Sequence, residues 1–152
     1  MVLRTQIRNG LPVIKEYTIG GSAAITEGQL LILSNDTVVT AADQAVIATG
    51  WATGPKTAAE VVAGTTMNVM ECNDNTVVEM RWIGTLPSNP LGDYYGLDVS
   101  TGVQTVNMDD VTNKLFKLIR VTRNGTATGH RAGDYRCLVC IPSTLSQSIT
   151  ES

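Results

Sequence analysis

"QLLILSNDTVVTAA", Gln29 to Ala42, decides the fold class. Two apolar runs of strand length flank Asn35-Asp36, a dipeptide that tolerates left-handed backbone and so marks a tight turn. The second run is β-branched, which disfavours helix and suits a pleated, half-buried surface. Outward from this pair the pattern repeats. "AVIATGWATG" and "AEVVAG" follow as short apolar runs bounded by Gly, then "TTMNVMEC", "NDN" and "TVVEMRWIG". Short strands at regular spacing with turn residues between them predict an all-β protein, either a small β-barrel or a β-sandwich.

Within that class the runs suggest particular pairings. Thr65–Cys72 and Thr76–Gly84 read as a hairpin around Asn73-Asp74-Asn75, with Val77, Glu79, Arg81 and Ile83 on one face of the return strand. "YYGLDVSTGVQTVNM", Tyr94 to Met108, reads as a second hairpin turning at Ser100-Thr101-Gly102. Its Tyr95, Leu97 and Val99 would share a face, across the turn from Val103, Thr105 and Asn107. Between the two hairpins, "LPSNPLGD" carries two prolines and a glycine and reads as a surface loop.

The stretch "DDVTNKLFKLIRVTRNG", Asp109 to Gly125, supports two readings. As a helix it would be capped by Asp109 or Asp110 and line Val111, Leu115, Leu118, Ile119 and Thr122 on one stripe. The Asn124-Gly125 turn favours a strand entering a hairpin. "DYRCLVCIP" is then a last strand closed by Pro142.

At 152 residues the chain suits one domain, organised as an extended N-terminal arm (1–20), a β-domain (21–142) and a polar C-terminal tail (143–152). Gly10, Pro12, Gly20 and Gly21 interrupt the arm, and Leu3, Ile7, Leu11, Val13 and Ile14 are its possible anchors. Charged residues are only 16%, against about 25% in typical soluble domains, so much of the surface is uncharged. The net charge of −3 is unevenly spread. Residues 17–113 carry eleven acids against Lys56 and Arg81, whereas residues 114–152 carry six bases against Asp134 and Glu151. Such asymmetry suits docking on an acidic partner, possibly another copy of the chain, and equally suits charges mixed by sheet folding.

Candidate chemistry is sparse. Cys137 and Cys140, with Cys72 and His130, have the ligand types of a Cys3His zinc site. Residues i and i+3 of a strand point to opposite faces, so the spacing argues for buried, hydrophobe-like cysteines and no metal. An odd cysteine number fits no closed disulfide framework and suits a reducing compartment, and no apolar run is long enough for a membrane span. His130 is the single histidine, in a Gly-rich segment, and offers a weak base for a triad. The acid pairs Asp109/Asp110 and Asp93/Asp98 read as turn residues rather than a catalytic pair. Lys114, Lys117, Arg120, Arg123, Arg131 and Arg136 crowd the C-terminal third, but 5% aromatics leave few stacking platforms for nucleic acid. The expectation is a protein that is not an enzyme, holds no cofactor, and binds neither nucleic acid nor membrane directly.

"EGQLLILSNDTVVTAADQAVIATGWA", "AGTTMNVMECNDNTVVEMRW" and "GDYYGLDVSTGVQTVNMDDVTNKLFKLIRV" together resemble the decoration, or cement, proteins of tailed-bacteriophage capsids. The resemblance covers roughly residues 20–142 and lies in the order of elements. It implies a β-rich head-stabilisation protein, made in the host cytoplasm and seated on the outer surface of the virion capsid. It also implies a homotrimer that bridges neighbouring major capsid protein subunits. For capsid binding the arm is favoured, through Leu3, Arg4, Ile7, Arg8, Pro12 and Ile14, and deleting residues 1–14 is expected to abolish binding without unfolding. The rival from another class is a surface-displayed glycan- or receptor-binding β-module, for which Trp51, Trp82, Tyr94 and Tyr95 are the stacking candidates.

Overall fold

A computed structural model describes residues 5–7, 13–125 and 133–147, with Thr5–Ile7 described by backbone alone. The strands in chain order are β1 (Thr5–Ile7), β2 (Ile14–Thr18), β3 (Leu30–Ser34), β4 (Thr37–Thr40) and β5 (Gly50–Ala52). A one-turn helix α1 (Ala58–Val62) follows, then β6 (Thr66–Glu71), β7 (Thr76–Ile83), β8 (Tyr94–Ser100), β9 (Val103–Asn107), β10 (Phe116–Asn124) and β11 (Tyr135–Cys140). The all-β class holds, and the barrel alternative is the one realised.

The barrel is made by β7, β11, β10, β8 and β9, in that order around the ring. Its neighbours are antiparallel except at the closure, where Trp82 and Ile83 of β7 run parallel to Val106 and Asn107 of β9. β1 takes the start of the same β7 edge, with Thr5 opposite Val78 and Ile7 opposite Thr76. Register shifts in β10 between Leu118 and Arg120, and again between Val121 and Arg123, bend that strand around the ring.

The second sheet runs β2-β6-β5-β3-β4, all antiparallel, and curls until its ends meet. A parallel bridge joins Ile19 to Val38, and the Gly20 N–H donates to the Val38 carbonyl at 2.9 Å. The meeting requires glycine: a Cβ on Gly20 would lie 2.1 Å from Thr37 Oγ1. Both tight hairpins turn through left-handed backbone at two successive residues, Asn35 (φ 50°) and Asp36 (φ 64°), then Thr101 (φ 53°) and Gly102 (φ 76°). This geometry matches the right-handed twist of the strands it joins.

Alternation divides the side chains between two interiors. Leu31, Val69 and Ala52 point into the curled sheet, where they pack with Tyr17, Ile19, Ile25, Val38, Met67 and Val61 of α1. Their chain neighbours Leu30, Met70 and Trp51 point the other way and join Val78, Met80, Trp82, Tyr95, Leu97, Phe116 and Leu118 in the core that also fills the barrel. The two sheets therefore share one core, as a single domain requires.

Several sequence-based expectations are corrected. Thr66–Glu71 and Thr76–Ile83 do not form a hairpin: β6 pairs with β2 and β5, while β7 pairs with β11, β1 and β9. Asn73-Asp74-Asn75 instead carries the chain from one sheet to the other, held by Asn73 Oδ1 accepting from the backbone N–H groups of Asn75 (2.8 Å) and Thr76 (2.9 Å). "AEVVAG", Ala59 to Gly64, is not a strand but holds all of α1 except its first residue, the helix being started by a capping box in which Thr57 Oγ1 accepts from the Glu60 N–H and Glu60 reaches back to the Thr57 N–H.

The hairpin at Thr101-Gly102 is present, but its register puts Gln104 opposite Val99 and Val106 opposite Leu97. Gln104 and Val106 thus face inward, not Val103 and Asn107. Asp109–Thr122 resolves as expected in favour of a strand, its apolar part forming β10. The arm is shorter than residues 1–20, because β2 pairs fully with β6 and Tyr17 is buried. The tail likewise begins later: Ser143–Leu145 form a 3-10 turn, and Gln147 donates its N–H to the Ala48 carbonyl at 2.7 Å.

Candidate functional site

The described cysteines and the carboxylates of Asp109 and Asp110 have structural roles. Cys72 and Cys137 lie in the shared core, and Cys140 lies on the opposite face of β11 with Val77 and Leu138, as i, i+3 spacing on a strand dictates. All three are buried thiols that form no disulfide. Burial pushes the Cys137 thiol up to about 12 and the Cys72 thiol well above its ordinary value, so neither is a nucleophile at neutral pH. His130 lies outside the described residues, and among those residues no group of His, Cys, Asp and Glu is placed to hold a metal.

Asp109 and Asp110 do turn work, whereas Asp98 lies within β8 and Asp93 directly precedes it. Asp110 Oδ1 accepts from the backbone N–H groups of Asn113 (2.9 Å) and Thr112 (3.0 Å), and the Asn113 bond leads in holding its carboxyl below the usual carboxylate range. Asp109 Oδ1 accepts from the Thr85 N–H at 3.0 Å. The stacking candidates are mostly enclosed: Trp51 is 0%, Trp82 4% and Tyr95 1% exposed, leaving half-buried Tyr94 alone near the surface. Trp82 packs edge-on to Tyr135 with ring centroids 4.8 Å apart and donates Nε1–H to the Arg123 carbonyl at 3.1 Å.

Of the arm residues, Leu3, Arg4, Arg8 and Pro12 lie outside the described residues. Ile7 is placed by its backbone opposite Thr76 on β7. Ile14 opens β2 and is 54% exposed beside Val13 at 46%, an apolar pair on the surface where the N-terminal segment joins the sheet. Beneath it, Glu71 is nearly buried and satisfied: Tyr17 Oη donates to Oε2 at 2.9 Å, and Lys15 Nζ lies 3.4 Å from Oε1.

Two arrangements were missed in the sequence. The first is Gln104, fully buried, which behaves as a stray peptide group between the sheets. Its Oε1 accepts from the Leu30 N–H at 2.7 Å, and its Nε2 donates to the carbonyls of Leu30 (3.1 Å) and Ala41 (3.4 Å). Polar alternation in "VQTVN" signals a strand, but nothing local signals that the polar residue points inward.

The second is a row of arginines on the outer face of the barrel. Arg123 of β10 is in register with Arg136 of β11, and Arg136 with Arg81 of β7. Asp134 bridges the first pair, accepting from Arg123 Nη1 through Oδ2 and from Arg136 Nε at 2.9 Å through Oδ1. Glu79 Oε1 takes Arg136 Nη1 at 3.3 Å, and Glu79 Oε2 accepts from Thr122 Oγ1 at 3.3 Å. The hydrogen bonds from Arg123 and then Arg136 hold the Asp134 carboxyl below its ordinary range. The expectation that sheet folding mixes the basic C-terminal third with the acidic body is met at Arg136, which pairs with Glu79; Arg123 pairs with Asp134 of its own third, and Lys114, Lys117 and Arg120 make no ion pair among the described residues.

Comparison with protein-family models, with curated proteins and with solved structures finds no match for the chain.

Proposed function

We propose that this protein is a structural virion component that binds the outer surface of a tailed-phage capsid and stabilises it by bridging neighbouring major capsid protein subunits. The order of elements over residues 20–142 motivates the reading, and the exposed pair Val13 and Ile14 at the root of the N-terminal segment is the structural observation that supports it. An apolar pair there gives a segment laid on a capsid subunit something to bury against, at about 25 cal/mol per Å² of apolar surface removed from water. Repetition over many copies, working as a homotrimer, turns a modest contact into a shell-wide gain, because each bound copy favours the intact shell by mass action.

Co-sedimentation with mature, undecorated shells tests this. The full chain is expected to bind saturably, and a variant starting at Val13 is expected to remain folded by circular dichroism and stay in the supernatant. This cut replaces one after residue 14, because Ile14 is already paired with Met70 in β2. Ile14→Glu should weaken binding without unfolding. Equal binding by the folded truncation would remove the arm from the reading, and absence of binding by the full chain would remove the capsid. The glycan-binding alternative has no comparable support, since three of its four aromatic candidates are enclosed in the core.

A further inference from the structure

We infer that the outer face of the barrel, centred on Arg81, docks a carboxylate-bearing segment of a partner polypeptide. Like charges directly opposite one another on neighbouring strands destabilise a sheet. The row Arg123, Arg136, Arg81 places three in succession. The first interval is neutralised within the chain: one Asp134 carboxylate bridges Arg123 and Arg136, with Glu79 adding a further contact to Arg136. The second interval, between Arg136 and Arg81, holds no such bridge among the described residues, and Arg81 is exposed. One row along, exposed Arg120 stands opposite Leu138, and next Lys117 stands opposite Cys140, both also outside any ion pair among the described residues. Among the described residues the face thus carries five cations, Arg81, Lys117, Arg120, Arg123 and Arg136, against the two carboxylates of Glu79 and Asp134.

The geometry favours a carboxylate over other anions because the same row already shows the binding mode: a single carboxylate seated between two guanidinium groups on adjacent strands. Arg136 is fixed in advance by Asp134 and Glu79, so an incoming carboxylate orders little more than Arg81. Beside Arg81 is a surface depression of about 210 Å³, walled also by Trp82, Ile83, Thr105, Gly133 and Tyr135. Thr105, 8% exposed, keeps a hydroxyl with no hydrogen-bond partner in this wall. The strand register that builds the row does not depend on whether the partner is a capsid.

The test is titration of the full chain with a capped hexaglutamate peptide, read by Trp82 indole and arginine Nε–H shifts in nuclear magnetic resonance. A single-stranded oligonucleotide of equal charge is the competitor. Saturable shifts at Arg81 and Trp82 are expected, with binding weakened about fivefold in Arg81→Gln and less in Arg81→Lys. Unchanged affinity in folded Arg81→Gln, absence of peptide binding by the parent chain, or tighter binding of the oligonucleotide at the same residues would each overturn the inference.

Discussion

The barrel and the curled sheet each have five strands, yet they close by different means. The barrel uses strands of up to nine residues, two bends in β10 and two paired residues at its seam, and it encloses the rings of Trp82, Tyr95 and Phe116. The curled sheet has strands of three to six residues and closes on one bridge, with a single turn of helix supplying Val61 as a plug. Short strands bury little on their concave side, so the convex side must also be covered, and Leu30, Trp51 and Met70 provide that contact against the barrel. The curled sheet therefore buries apolar side chains on both of its faces, and those of its convex face belong to the same core as the barrel interior. The two are expected to unfold as one cooperative unit.

Removing the shared anchor breaks the comparison most severely. Trp51→Ala empties a fully buried site between the sheets and should lower stability by about 3–5 kcal/mol in urea unfolding, with a single transition retained. Two separate transitions in the parent chain would show that the units are independent. Gln104→Ala is next: it leaves the Leu30 N–H and carbonyl without that partner and should lose about 2–3 kcal/mol. Amide exchange at Leu30 should accelerate more than exchange within β7 and β11.

Thr57→Ala sharpens the contrast on the weaker side. Loss of the capping box should cost about 1 kcal/mol, with exchange rising around Val61 while the barrel amides are unaffected. The smallest effect belongs to the barrel's outer face and is a pH dependence. The Asp134 carboxyl is held below its unfolded value, so its contribution is present above the ordinary carboxylate range and is lost as pH falls through the folded value. The stability difference between the parent chain and Asp134→Asn should therefore be greatest at neutral pH and shrink below about pH 4. A difference that grows on acidification would contradict this account of the arginine row.

Legibility in the sequence followed the range of the interaction. The turns at Asn35-Asp36 and at Thr101-Gly102 were readable because left-handed backbone selects residue types within a few positions. Strand β10 was readable from the Asn124-Gly125 turn that follows its apolar run. The capping box Thr57-Ala58-Ala59-Glu60 was also written locally, but the β-branched pair Val61-Val62 outweighed it. The arm residues proposed to bind a capsid carried no local geometry, and of them the structure describes the side chain of Ile14 alone.

The sequence alone determined that the chain folds as short strands, where the tight turns fall, and that Cys137 and Cys140 face opposite ways. Each of these depends on backbone and side-chain preferences over a few residues. Only the tertiary structure decided that β6 and β7 part into different sheets, that Gln104 points inward to join them, and that three arginines from three strands stand in one row. A strand edge offers the same N–H and C=O groups to any partner, so alternation fixes which face is buried and leaves open which strand lies alongside. That choice is made by the core as a whole, when Leu30, Trp51 and Met70 meet the barrel interior.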